Sequence, residues 1–207
     1  PYSVMINREG KRFLDEGEDV GMYTYAKYGG RILQETGALA WQIFDQQTVH
    51  LLEPRYNTSD PITADTLAEL VPQLELDDHA QALRTLEEYN AAVPAPGAND
   101  AFDPTQKDGL SSTGLSPEKS NWATRLDQPP FVAYSATGGV TFTFGGLKID
   151  KDARVIGTDW RPIKGLFACG EMVGGLFHIN YPGGTGLVSG AVFGKIAGAS
   201  AARGANG

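Results

Sequence analysis

The chain has 207 residues, 41% of them hydrophobic and 20% charged, with a net charge of −8 and a pI near 4.8. That composition suits one soluble domain or two small ones, and the acidic balance argues against nucleic acid or an anionic membrane as partner. A single cysteine excludes an internal disulfide. No signal peptide or transmembrane run is read, so the cytoplasm is the expected location.

Tyr2 to Ile6 alternates loosely and predicts a strand that turns at Glu9-Gly10. Asp15, Glu16, Glu18 and Asp19 follow. Such a cluster can serve acid–base work or hold a metal, but Gly17 and Gly21 favour a solvated turn. Tyr25, Tyr28 and Ile32 stand at helical spacing, interrupted by Gly29-Gly30, and Leu39 to Phe44 predicts a strand with Trp41 and Ile43 on one face. Thr63 or Asp65 can cap a helix holding Leu67, Leu70, Val71 and Leu74, with Thr66 and Glu69 at capping-box spacing and Pro72 ending or kinking it early. Asp77 or Asp78 opens another, with Ala82, Leu83, Leu86, Tyr89 and Val93 as its buried face.

Residues 94–118 read as a long loop, with Asn121-Trp122 as a candidate anchor. Phe131 to Ser135 predicts a strand, and Gly138-Gly139 a crossing between domains. Val140, Phe142 and Phe144 then alternate with Thr141 and Thr143, giving an apolar and a hydroxyl-bearing face. Lys148 to Ile156 predicts a hairpin through Asp150-Lys151-Asp152. His50 and His79 read as surface residues, and no metal-ligand spacing is present.

The last fifth is the most distinctive. Leu166 to Cys169 is a short apolar run between glycines, which predicts a strand buried on both faces. A glycine-rich loop leads from it to a helix running from Gly186 to Ala202, in which Gly186, Gly190, Gly194 and Gly198 form one row. Interior glycine costs a helix about 1 kcal/mol against alanine, so the row predicts a face pressed on another backbone or a flat ligand. The loop delivers the unpaired amides of the helix N-terminus, where negative charge is favoured. Gly184 to Gly190 also reads as G-x-G-x-x-x-G, but the distance from its strand makes that spacing weak.

Gly165-Leu166-Phe167-Ala168-Cys169-Gly170-Glu171, Gly174-Gly175, Asn180 and Gly183-Gly184, with the small-residue helix, resemble the C-terminal end of the fumarate reductase/succinate dehydrogenase flavoprotein family. Gly139 to Ile149 is similar to the strand by which those proteins re-enter the flavin domain, and Asn7-Arg8-Glu9-Gly10-Lys11-Arg12-Phe13 to a stretch of their capping domain. Within the family the chain most resembles the FAD-dependent tricarballylate dehydrogenases, through Tyr23 to Gly29, Lys119 to Ala123 and Asn180 to Gly184. The resemblance implies an α+β architecture: a capping domain over residues 1–137, then a C-terminal segment of the FAD-binding domain over 138–207. The dinucleotide-binding half would lie before residue 1, as a separate partner of an expected C-terminal fragment.

It also implies FAD as cofactor and a reaction at a carbon–carbon bond beside a carboxylate or carbonyl. Glu171 matches the acid that contacts cofactor hydroxyls, and Gly186 and Leu187 the helix start at the pyrimidine edge. Gly183, Gly184 and Thr185 lead into that start, and Thr143 faces the ring from the re-entry strand. The family's proton-donating arginine has no counterpart between Gly17 and Met22, its substrate histidine falls at Phe142, and its carboxylate-clamping arginine falls at Tyr181. Three anion-handling groups are thus absent, which argues against fumarate reduction by that mechanism.

Tyr181-Pro182-Gly183 is similar instead to the Tyr-Pro-Gly of ketosteroid dehydrogenases, where the tyrosine polarises a carbonyl. Tyr181 is therefore the expected substrate-polarising hydroxyl, and His178 an expected carboxylate ligand or proton shuttle. Thr141, Arg12 and Arg125 are the expected substrate-binding groups. The small-molecule substrate is an organic acid, tricarballylate-like, or alternatively a bulky ketone. A further alternative is a non-catalytic capping module that packs against another polypeptide.

Overall fold

The computed structural model describes residues 1–54, 59–94 and 102–205, and it is α+β. The chain divides into two compact units, Pro1–Gly138 and the segment from Gly139 onward. Part of the expected 94–118 loop, residues 95–101, lies outside the described residues.

The first unit is built on an antiparallel sheet of β1 (Val4–Asn7), β2 (Ala40–Phe44), β3 (Ile62–Ala64) and β4 (Phe131–Ala136), in the order β1-β2-β4-β3. Pairing Val4 with Ile43 and Ile6 with Trp41 puts all four side chains on one face, as period-two alternation requires. That face packs on the short helix α2 (Leu67–Leu70) and on α3 (His79–Ala92) through Leu70, Leu86 and Tyr89. Met5 and Ala40 point to the opposite face, where α1 (Gly21–Ile32) adds Tyr28 and Ile32.

The helix starts follow local chemistry. Thr66 caps α2 by accepting from the Glu69 N–H, and Asp78 caps α3 by accepting from the Gln81 N–H at 2.8 Å. α2 gives way after Leu70 to a 3-10 turn containing Pro72. α1 runs through Gly29-Gly30, so the expected interruption is absent. The loop that returns to the sheet is pinned by Trp122, fully buried, whose indole donates to the carbonyls of Asp103 and Gln106.

The acidic cluster forms the expected turn, solvated at Glu18 and partly at Asp19, but Glu16 departs from it. Glu18 and Asp19 pair with Lys27 and Lys107, and Asp15 accepts from the N–H groups of Gly17 and Ser120. Glu16 is buried, accepting from the Met5 N–H at 2.8 Å and from Arg12. Among the described residues, no group of His, Cys, Asp and Glu is placed to hold a metal.

The second unit contains the hairpin β5 (Arg154–Ile156) and β6 (Pro162–Phe167), followed by helix α4 (Thr185–Ala205). Asp150 organises the preceding turn, accepting from the N–H groups of Asp152 and Arg154 and from the Arg154 guanidinium. Two expectations are corrected here. The strand expected from Val140 to Phe144 forms no ladder, and within the stretch up to Ile149 just Leu147 and Ile149 make isolated bridges. In the run expected to be buried on both faces, Leu166 is exposed, Phe167 and Cys169 are half-buried and Ala168 is buried, and β6 ends at Phe167. The small core of this unit gathers Ile149, Val155, Ala168 and Val173. No described helix is long and apolar enough to cross a membrane.

Candidate active site

Most of the expected site residues fall in the second unit, on two loops and the first turn of α4. After β6 the chain turns at Gly170, whose φ is +79°, and the Val173 N–H closes the turn on the Gly170 carbonyl at 3.1 Å. Glu171 rides on this turn with its side chain exposed. The chain then runs beside residues 145–147: the Leu147 N–H donates to Met172 at 2.8 Å and the Gly174 N–H to Leu147 at 3.1 Å. A Cβ on residue 174 would lie 2.3 Å from the Gly146 nitrogen, so this crossing requires glycine.

From Leu176 to Gly184 the loop has little backbone bonding of its own beyond the His178–Asn180 bridge. It includes Ile179 at φ +65° and Gly184 at φ +83°. Side chains hold it instead. The Tyr181 ring, buried, meets Phe142 at 4.4 Å between centroids, Phe144 at 5.8 Å and Phe177 at 6.0 Å. Phe142 also packs edge-on against Phe144 and Phe177, each at 5.7 Å. The expected alternation holds from Thr141 to Phe144 without a ladder, with Phe142 and Phe144 half-buried in this cluster and Thr141 and Thr143 exposed, but Val140, expected on the apolar face, is 94% exposed. Phe144 further lines an open cleft of about 710 Å³ with Lys148, Ile149, Leu176 and Phe193.

α4 opens where this loop ends. The Thr185 hydroxyl donates to the Pro182 carbonyl at 2.6 Å, and the N–H groups of Thr185 and Val188 bond Pro182 and Gly184. That leaves Gly186 and Leu187 as the first-turn amides without an intrahelical acceptor, at the positive end of a 21-residue helix. The glycine row lies along three successive neighbours. A Cβ would stand 3.6 Å from Phe142 at Gly186, 3.7 Å from Gly170 at Gly190 and 3.8 Å from Cys169 at Gly194, whereas Gly198 faces open space. A methyl group at each of these three positions would meet a side chain, a backbone and a thiol at ordinary contact distance, so the row faces these neighbours without being pressed tightly on them.

Tyr181, Gly183, Gly184, Thr185, Gly186 and Leu187 follow one another on the loop and first turn of α4, Glu171 lies on the preceding turn of the same unit, and Thr143 donates to the Gly145 carbonyl at 3.2 Å. His178 lies on the same loop, exposed. Arg12 and Arg125 belong to the first unit. Arg12 is buried and committed: it bonds Glu16 through Nε and Nη2 and donates to the Pro117 carbonyl at 2.6 Å. Burial works to lower its pKa, but bonding to Glu16 and the Glu16 charge together raise it. That geometry is opposed to the substrate-facing position expected of it. Arg125 is partly exposed, 3.9 Å from Asp127. The structure adds Phe142, Phe144 and Phe177 as the residues that hold Tyr181. The two-residue spacing of the first two was visible in the sequence; the role of Phe177, on a separate loop, carried no periodic signal.

A family model described as an FAD binding domain matches residues 2–188. The chain is 33% identical to an NADH:acrylate oxidoreductase of Vibrio harveyi, over 96% of its own length and 18% of that protein. It is 28% identical to a 3-oxosteroid 1-dehydrogenase of Mycolicibacterium smegmatis, over 95% of this chain and 37% of the relative. Among solved structures it superposes on the open conformation of a flavocytochrome c3 fumarate reductase with a TM-score of 0.65 and 30% identity, covering 98% of this chain and 33% of that one. The chain therefore spans between about a fifth and two fifths of the length of these relatives.

Proposed function

This chain belongs to the FAD binding domain family, and from that premise we propose that it is part of an FAD-dependent oxidoreductase acting on a carbon–carbon bond beside a carboxylate or carbonyl. The observation that carries the reading is that Tyr181 and the first turn of α4 share Phe142 as neighbour within the second unit, which also carries Glu171. These residues fit the cofactor. The Gly186 and Leu187 amides suit a ring edge that gains negative charge, and Glu171 suits ribityl or ribose hydroxyls. FAD, when bound, supplies the hydride chemistry. In this reading the Tyr181 hydroxyl polarises the substrate carbonyl, Thr141, Thr143 and His178 border the same loops, and the enzyme works in the cytoplasm.

A tricarballylate-like acid is the substrate class proposed first, with His178 as the group of the second unit left for its carboxylates. Arg12 drops from that set because Glu16 holds it. A second reading, a ketosteroid-dehydrogenase-like activity on a neutral ketone, is favoured by one observation: the rings of Phe142, Phe144 and Phe177 surround Tyr181. An aromatic wall suits a flat apolar ring better than a trianion, whose desolvation it cannot repay.

The exposed Leu187, Val188 and Val192 on α4, with Ile163 and Leu166 on β6, make a broad apolar surface on the second unit. We assign its cover to the dinucleotide-binding part of the flavin domain, so a chain without that part acts as a cap and scaffold. A visible spectrum and FAD titration test the proposal. Stoichiometric binding, followed by turnover of a tricarboxylate or a cyclic ketone, supports it. Loss of binding even when the dinucleotide-binding part is supplied would sink it.

A further inference from the structure

We infer that Phe142 is the positioning residue of the site: its ring sets where the Tyr181 hydroxyl stands relative to the first turn of α4. The inference rests on the functional reading above. Neither the Phe142 stretch nor the Tyr181 loop belongs to a strand ladder; the Gly175 N–H bonds the Phe144 carbonyl at 3.1 Å, and aromatic rings join the two segments beyond it. Phe142 makes the tightest of those ring contacts. Phe142 packs edge-on against Tyr181 at 4.4 Å, the closest approach in the cluster. The same ring touches Phe144 and Phe177, both at 5.7 Å. It also faces the helix start: a Cβ added at Gly186 would stand 3.6 Å from its Cε1.

The tyrosine and the amides of Gly186 and Leu187 are therefore referenced to a common surface. Phe144 and Phe177 also border Tyr181, at 5.8 and 6.0 Å, and Phe142 adds the contact to the helix. Removing the ring lets the loop and the helix start move independently, and a displacement of about 1 Å is enough to cost a reaction on the order of 100-fold.

The test uses the flavin-loaded enzyme and three variants: Phe142→Leu, Phe142→Tyr and Tyr181→Phe, with the double variant Phe142→Leu/Tyr181→Phe. In Phe142→Leu, kcat is expected to fall roughly 10- to 100-fold at unchanged flavin content. The Tyr181 ring protons, followed in tyrosine-labelled protein, should lose the ring-current shift that Phe142 imposes. Phe142→Tyr keeps the ring and should restore both. In the Tyr181→Phe background the Leu substitution should change kcat by less than about twofold, because the positioned group is already gone.

Additive losses, with Tyr181→Phe itself impaired, would overturn the inference and leave the role of Tyr181 standing. So would Tyr181 signals that do not move in Phe142→Leu. Full turnover by Tyr181→Phe would remove the tyrosine's role and this inference together. If Phe142→Leu does not fold, Phe142→Tyr decides: lost turnover with an unshifted Tyr181 spectrum counts against positioning.

Discussion

The guanidinium of Arg12 and the carboxylate of Glu16 meet at 2.5 Å in the interior of the first unit, their side chains 4% and 2% exposed. Glu16 also accepts the Met5 N–H, so the pair fastens the segment after the first turn to β1. A buried pair of this kind adds little net stability over an apolar replacement, but breaking it strands a charge.

Arg12→Leu is therefore expected to destabilise the protein by about 3–5 kcal/mol. The double replacement Arg12→Leu/Glu16→Leu should recover a substantial part of that loss. Urea denaturation of the three proteins measures both. A fall in turnover with unchanged stability in Arg12→Leu would restore a substrate-binding role to this arginine.

Lys119 is equally buried, donating to the Ser3 carbonyl at 2.9 Å and lying over the Tyr89 ring. Burial lowers its pKa from 10.5 to about 8, against the opposing pull of Glu16. Between those values the unfolded chain holds more protons than the folded one, so the Lys119 contribution makes stability rise with pH. Tyr28 and Tyr89 are shifted upward by burial, and above their ordinary value of 10.0 they reverse the slope. In Lys119→Met, thermal midpoints should rise less steeply from pH 8 to 10 than in the unsubstituted protein. Parallel profiles would show that the lysine is not the group responsible.

Two glycine substitutions should separate steric demand from mere proximity. Gly174→Ala would put a Cβ 2.3 Å from the Gly146 nitrogen and is expected to cost about 1–3 kcal/mol. Gly190→Ala meets Gly170 at 3.7 Å and should be neutral or stabilising by up to about 1 kcal/mol, from helix propensity. Hydrogen exchange across 145–147 and 172–175 reports the first, and the exchange of α4 amides the second.

Tyr181→Phe is expected to lower kcat by about 100-fold while the flavin affinity changes less than about twofold. Parallel titrations of flavin absorbance and initial rates provide the comparison. Equal losses in both would make Tyr181 a cofactor-packing residue.

What the chain declares in advance is what local chemistry decides. The alternation of Leu39 to Phe44 gives β2 with Trp41 and Ile43 inward, and Asp78 caps α3 with Ala82, Leu86 and Tyr89 buried. Where neighbours decide, the pattern misleads. Leu166 to Cys169 reads as a doubly buried strand because apolar runs normally find cover, yet Leu166 is exposed and Phe167 and Cys169 are half-buried, with Ala168 alone of the four buried. Glu16 reads as part of a solvated turn because nothing local shows that Arg12 and the Met5 N–H will meet it in the interior. For the site, Tyr181 and the α4 start stand out as motif residues. Phe177 acquires its place through a contact across 35 positions, which no periodicity encodes.

The glycine row of α4 has a consequence for how such a protein can change over generations. Gly186, Gly190 and Gly194 each meet a different stretch of chain, at Phe142, Gly170 and Cys169. One inserted residue between them would rotate everything beyond it by about 100° and break the remaining contacts together. Length variation is thereby excluded from the first three turns and confined to the helix end beyond Gly198, which faces open space. Side chains at 171 and 181 stand off this row and can be exchanged without disturbing it, whereas the ring at 142 belongs to what the row faces and is tied to its spacing.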